Sequence, residues 1–502
     1  MKSIKISFLF IVLSVYFISC SKDFITINPD GQFLSDNYYA NEEQAYAALV
    51  AAYDPVRKNS GGFENMIALM NSGSDDHYAG GGGATDGLQL QAFSNYTMTA
   101  DQMAGSYWND PYQGIFRVNT LLKKLPDVPM SADTKARFEA EAKALRAHYY
   151  FNLVRMFRNI PLLLEPLTAT NMYEVEQADP AAVYAQIEQD LKDAVAVLPV
   201  SLNMGTEAGR FTKGAAQALL GKVYLYQGKN AEAAEQLAQV NGDPGQASPY
   251  GYKLLDNFAD LWKHDNKFNS ESIFEETHSA KGNSDWGFWG AGNDEGNTLN
   301  VMVGPRSYSK IGPNAPSLPS GWSFNVFTQD FYDFMKDDPR FEATVLDLEA
   351  LKSAGEADYI PGYMNTGYFL NKFVPRTSDV STGGGASELN YRQNTYIIRL
   401  ADTYLMEAEA LGATGARAQA LLDAVRARVG LPSVPVSMQA IKDERRRELA
   451  GEGHRWFDLV RWGDAPSVLA SRGFVAGKHE VFPIPTRELQ GTKLVQNPGY
   501  NQ

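Results

Sequence analysis

From residue 132 to 158 the sequence keeps one helical period without a break. Phe138, Ala142, Leu145, Tyr149, Leu153 and Met156 recur at four, three, four, four and three residues. Apolar positions at those steps line one face of an α-helix. Ser131 suits the N-cap of this helix and Pro161 its stop.

Shorter stretches repeat the theme. Residues 41–56 place Ala45, Ala48, Leu49, Ala52 and Tyr53 on one face, and "WNDPYQGIFRVNTLLKKL" repeats the period with Ile115, Val118 and Leu122. Pro111 leaves the start of that second helix open. "ADPAAVYAQI" opens another, with Asp179 as cap and Pro180 at the first helical position, and its stripe runs Val183, Ile187, Leu191, Ala194, Leu198. The segments 212–228 and 230–240 read as a pair whose small residues let backbones approach, with Gly228 at a C-terminal cap. A similar pair is expected at 393–412 and 416–430. Such pairs resemble tetratricopeptide units, although their spacing is irregular. The expected fold is therefore dominated by α-helix: degenerate helix pairs interrupted by a large loop-rich insertion.

That insertion spans 242–392 and is rich in Gly, Pro, Asn and Ser. Irregular chain on this scale inside a helical protein usually carries function. Within it, "GNSDWGFWGAGNDEGN" sets Trp286, Phe288 and Trp289 among glycines, asparagines and acids.

At the N-terminus, Lys2 and Lys5 precede an apolar run from Ile6 to Ser19, and Cys20 follows. The run is too short to span a bilayer of roughly 30 Å as a helix, so it reads as a secretion signal. "FIS" before the cysteine resembles a bacterial lipobox, which makes Cys20 the expected lipidation site and the acyl chains the membrane contact. Cys20 is the only cysteine, so it can form no internal disulfide. A formal charge of −14, with no basic block free of glutamates, argues against a nucleic-acid partner.

Four stretches together resemble the SusD/RagB family of outer-membrane nutrient-binding lipoproteins. They are "CSKDF" after the signal, "EAKALRAHYYFNLVRMFRNIPLL" (141–163), "FTKGAAQALLGKVYLYQGK" (211–229) and "ERRRELAGEGHRWFDLVRWG" (444–463), the last followed by "VFPIPTREL" and "QNPGY". The resemblance implies a SusD-like fold and a non-catalytic protein at the outer-membrane surface. It also implies a partner, a SusC-like TonB-dependent transporter, to which captured oligosaccharide or peptide is passed. The expected divisions are a signal peptide (1–19), an anchor and tether (20–40), an N-terminal helical region (41–241), the loop-rich insertion (242–392) and a C-terminal region packing on the repeats (393–502). In the C-terminal motif Trp456 and Val460 share a helical face, and Arg455 can pair with Asp458. His454 there, like Trp108, is read as a packing residue.

Motifs for chemistry are missing. There is no GxSxG elbow and no HExxH, and the histidines at 77, 148, 264, 278, 454 and 479 show no metal-ligand spacing. No cofactor and no metal are expected; "GSDDHY" and "GNDEGN" carry oxygen ligands but do not fit an EF-hand loop. A carbohydrate site needs apolar planes for sugar C–H faces and polar groups for hydroxyls. Two stretches offer both: Trp286, Trp289, Tyr308 and Trp322 in 282–325, and Asp75, Asp76, His77 and Tyr78 ahead of a glycine run expected to be mobile. These are the candidate glycan contacts. The rival readings are a peptide- or protein-binding relative or scaffold, and a surface glycoside hydrolase acting through carboxylates.

Overall fold

The central stripe becomes helix α5, Ala132–Phe157. The structure, a computed structural model, describes residues 39–281, 284–286 and 295–500; the leader, Cys20, Phe288 and Trp289 lie outside them. The Ser131 hydroxyl accepts from the Thr134 amide at 3.1 Å, as an N-cap does. Every residue of the predicted stripe is at most 4% exposed. Burial extends well beyond it, because Arg146, His148, Tyr150 and Phe151 on the other faces are covered as well. The helix ends at Arg158 in a positive-φ conformation. Its last carbonyls are met by the C-terminal motifs: Phe482 N donates to Met156 O at 2.7 Å, and Asn497 Nδ2 to Phe157 O at 2.9 Å.

Before α5 come α1 (Glu42–Tyr53), α2 (Met66–Ser72), α3 (Leu88–Ser94) and α4 (Ser106–Lys124). Pro111 sits inside α4, so that helix starts earlier than its proline suggests. Trp108 on α4 is buried, edge-on to Phe157 with ring centroids 5.1 Å apart. After α5 follow α6 (Pro180–Val197), α7 (Lys213–Tyr226) and α8 (Asn230–Asn241). Asp179 and Thr212 cap α6 and α7 through their side chains. Helices α4 to α8 pack each on the next. Gly221 lets α7 and α8 close up: a Cβ there would come within 2.6 Å of Leu237.

The chain then leaves the stack. It forms α9 (Thr298–Val303), α10 (Gln329–Met335), α11 (Leu348–Ser353) and three small two-stranded sheets. Strand β1 (Ser272–Glu276) pairs antiparallel with β6 (Thr395–Arg399), β2 (Ser309–Lys310) with β4 (Ala357–Asp358), and β3 (Val345–Asp347) with β5 (Tyr368–Leu370). The segment 393–412, expected as one helix, is thus strand β6 followed by α12 (Leu400–Ala410). The reason is local and tertiary together. "TYIIR" is aromatic and β-branched, and it finds β1 as a partner, with Phe274 opposite Ile398. Helix α12 then packs on α8, and α13 (Gly415–Arg428) packs on α12, so the helical stack resumes where it was interrupted.

The C-terminal motif forms α14 (Met438–Glu448) and α15 (Arg455–Trp462). Trp456 is 1% exposed, its ring 5.3 Å from Phe482 and 5.4 Å from Phe93. Arg455 pairs with Asp75 at 2.8 Å rather than with Asp458, which is taken by Arg445 and Arg461. Around α14 lies a lattice of buried charges. Arg399 bonds Glu271 at 2.9 Å, Glu448 at 2.6 Å and Glu452 at 2.8 Å. Arg340 bonds Asp338, Glu444 and Glu448 at 2.7–2.8 Å. Arg428 reaches Glu271 and Glu448, and Lys372 reaches Glu452 at 2.8 Å. Among the described residues no helix is long and apolar enough to cross a membrane.

These buried groups set the pH response. Burial pushes His77 and His148 down to about 3 and His454 to about 4. Burial alone would raise Glu448 and Glu452, but their arginine and lysine partners hold both below the usual carboxylate range. In each case the unfolded chain takes up protons before the folded one, so stability falls as pH falls. Glu275 and Asp76, which burial raises, work in the opposite sense. Urea unfolding should show stability level only between about pH 7 and 8, since burial also pushes Lys267 and Lys372 down to about 8, declining below about 6.5 as the histidines titrate, and dropping further below about 4 as the carboxylates do. Stability unchanged between about pH 7 and 5 would contradict the neutral, buried histidines.

Candidate functional site

The two stretches nominated from sequence meet in space but play different parts. Asp75 receives Arg455 in a two-pronged pair, Nε to Oδ1 and Nη2 to Oδ2, both 2.8 Å. Asp76 is 1% exposed and accepts from Arg446 Nε at 2.7 Å. His77 is equally buried; its Nδ1 lies 2.8 Å from Asn325 O, and its ring sits 4.2 Å from that of Phe327. Facing a carbonyl, Nδ1 carries the proton and donates. Tyr78 is half-buried beneath the Arg472 guanidinium, and its amide donates to Val326 O at 2.9 Å. Residues 75–78 therefore seat the C-terminal region through Arg446, Arg455 and Arg472.

The glycine run is not loose at its start. Gly80 forms a bridge with Phe324, and Gly81 N donates to Ser323 O at 2.8 Å. Gly80 has φ +72° and lies so close to the Ser323 carbonyl that a Cβ would collide with it. Only glycine accommodates both demands. The segment 77–81 thus lies along 323–327 and supports the residue just before it, Trp322.

Trp322 is held by main chain. Gly321 N bonds Pro305 O at 2.7 Å, Trp322 N bonds Val301 O at 2.9 Å, and Phe324 N bonds Met302 O at 2.8 Å. The approach depends on Gly304 and Gly321 lying back to back, since a Cβ on Gly321 would sit 2.5 Å from Gly304. Asn325, with φ 53°, ties this segment to α2 through Ala68 O at 3.1 Å and Ser72 Oγ at 2.9 Å.

On this base three rings form a surface array. Trp286, half exposed, lies 5.8 Å from Trp322 with the planes tilted by 38°. Trp322, half-buried, lies 6.3 Å from Phe63 at 51°. Phe63 in turn packs edge-on to the buried Phe324 at 5.6 Å. Polar groups surround the array. Glu388 accepts from Trp286 Nε1 at 3.0 Å, Asp285 accepts from the Trp286 amide, and Arg306 donates to Trp322 O at 3.1 Å while lying 3.9 Å from Asp86. Such a strip presents apolar planes beside hydrogen-bonding groups, as a sugar chain requires.

Of the residues nominated from sequence, the structure brings Trp286 and Trp322 together. Tyr308 is turned into its own loop, donating to Pro316 O at 2.6 Å. Asp75, Asp76 and His77 are engaged below the array, and Trp289 lies outside the described residues. Phe63, Glu388 and Arg306 were not singled out from sequence. Phe63, in "SGGFEN", carries the same signal as Trp286, a large ring next to glycines in irregular chain. Among the described residues no cluster of three His, Cys, Asp or Glu side chains could hold a metal ion.

The two groups should part under mutation. Trp286→Ala is expected to leave the melting temperature within about 1 °C, because the ring is half exposed. Asp76→Ala removes the nearer carboxylate from Arg446, which keeps Asp75 at 3.4 Å, and should cost about 1–3 kcal/mol in urea unfolding.

Comparison with known proteins gives a consistent result. Residues 270–476 match the model of the SusD family, and residues 32–225 match that of the starch-binding family associating with outer membrane. The chain is 64% identical to a solved laminarin binding SusD-like protein, covering 92% of this chain and 100% of that one, with a TM-score of 0.91. It is 27% identical to surface glycan-binding protein A from Bacteroides thetaiotaomicron, solved in complex with laminarihexaose, covering 91% and 100% with a TM-score of 0.81. A SusD-like protein of Formosa agariphila is 25% identical over 97% of this chain and 96% of its own length.

Proposed function

The chain belongs to the SusD family, and from that premise we propose that it is an outer-membrane lipoprotein that binds a laminarin-type β-1,3-glucan on the Trp286–Trp322–Phe63 strip. The observation that carries this reading is the ring array itself, three aromatic planes at steps of 5.8 and 6.3 Å beside carboxylates and a guanidinium. The successive tilts of 38° and 51° suit a chain that turns along its length, as β-1,3-linked glucose does, better than a flat ribbon. The relative that shares 64% of its residues is named for laminarin binding, which supports the same choice.

In this reading the protein does no chemistry on its ligand. It captures glucan at the surface and passes it to a SusC-like TonB-dependent transporter. Ring stacking and a few hydrogen bonds giving a net ~4–6 kcal/mol correspond to affinities from roughly millimolar to tens of micromolar. Weak capture suits delivery, since a tighter complex releases slowly. The membrane contact is assigned to acyl chains on Cys20.

Isothermal titration with laminarihexaose, maltohexaose, cellohexaose and mixed peptides tests the ligand. Laminarihexaose is expected to bind most tightly, and Trp286→Ala to weaken it by at least about tenfold. Binding of peptides and of no glycan would overturn the reading, and so would cleavage of the hexasaccharide abolished by a single carboxylate substitution. For the anchor, Cys20→Ala should move the protein from the membrane fraction to the soluble fraction; retention in the outer membrane would refute it.

A further inference from the structure

We infer that Glu388 is a positioning residue for the Trp286 ring, acting from a segment, 386–391, that is bonded to Ser284 before that ring in the chain and to Asn297 after it. The inference rests on the platform reading above. A tryptophan side chain has one directional handle, the indole N–H, and otherwise rotates about two bonds. For a half-exposed Trp286 that handle is taken by Glu388 Oε1 at 3.0 Å. A carboxylate acceptor makes this a charge-assisted bond, stronger than a neutral one.

The segment holding Glu388 is itself fixed to Ser284 and Asn297. Asn390 closes a double contact with Ser284: its Oδ1 accepts from Ser284 N at 3.2 Å, and its Nδ2 donates to Ser284 O at 2.9 Å. Ala386 N adds a bond to the same carbonyl at 2.9 Å. Asn297 N donates to Tyr391 O at 2.7 Å, and Gly296 packs so closely on Leu389 that a Cβ would run into its carbonyl. Ser284, Asn297 and Asn390 are at most 1% exposed, so these contacts are interior and fully determined. From this fixed base the Glu388 carboxylate reaches the exposed ring. Its role is to hold the indole plane at the tilt that continues the line of Trp322.

The experiment titrates laminarihexaose into the full-length protein and into Glu388→Ala, Glu388→Gln, Trp286→Ala, Trp286→Phe and the double variant Trp286→Phe/Glu388→Ala, with a thermal melt of each. Glu388→Ala should weaken binding about three- to tenfold, the size expected for one lost hydrogen bond, with no change in melting temperature. Glutamine keeps an acceptor oxygen and should recover most of that loss. Phenylalanine at 286 has no N–H to hold, so in that background Glu388→Ala should change affinity by less than about twofold. A loss of full size in the phenylalanine background would overturn the inference, because Glu388 would then touch the glucan itself. Unchanged affinity in Glu388→Ala, with Trp286→Ala impaired, would overturn the positioning role alone. Unchanged affinity in both would overturn the platform reading, and this inference with it.

Discussion

The irregular half of this protein is tied to its helical half by buried ion pairs around α14. Glu271, Arg340, Lys372 and Arg399 arrive from the loop-rich segment and its closing strand, and they meet Glu444, Glu448 and Glu452 together with Arg426 and Arg428. Arg340, Arg399 and Glu448 are each at most 1% exposed. Removing such groups from water costs several kcal/mol per ion, and a lattice of this kind adds little net stability over an apolar core of equal volume. Its effect is on which packing is allowed. A loop docked out of register would leave a charge in the interior without a partner, which penalises other arrangements of the loops on α14.

The same physics carries placement from the lattice to the rings. Arg446, on the outward side of α14, and Arg455, at the start of α15, fix Asp75 and Asp76. The chain that follows lies against 323–327, and that segment ends at Trp322. Trp322 then provides the surface against which Trp286 and Phe63 are set. A half-exposed aromatic strip is thereby built on main-chain hydrogen bonds and glycine contacts, which lose little on ligand binding because little is left to order.

The helices were legible because their determinants are local. Ser131, Asp179 and Thr212 bond amides within three residues of themselves, and the stripe from Phe138 to Met156 needs only the helical period to be seen. Trp456 is buried on the helical face it shares with Val460, and Trp108 is buried as the resemblance of its motif implied. Strand β6 was hidden inside a helix-like stretch, since what makes it a strand is β1, more than a hundred residues upstream. The acidic and histidine cluster at 75–77 looked ligand-facing for a related reason. Its partners, Arg446, Arg455 and the Asn325 carbonyl, are equally remote in the chain.

What the sequence by itself determined is the set of longer helices that form the stack and the loop-rich interruption between them. Each depends on periodicity, capping or composition within a short window. Only the tertiary structure decided which aromatics stand together and which polar residues are spent on holding them. Trp286, Trp322 and Phe63 lie far apart in sequence and touch because buried charges and back-to-back glycines favour this docking of the loops. Contacts of that range leave no periodic trace in the chain, so the array, its tilt and its support by Glu388 become visible only once the fold is closed.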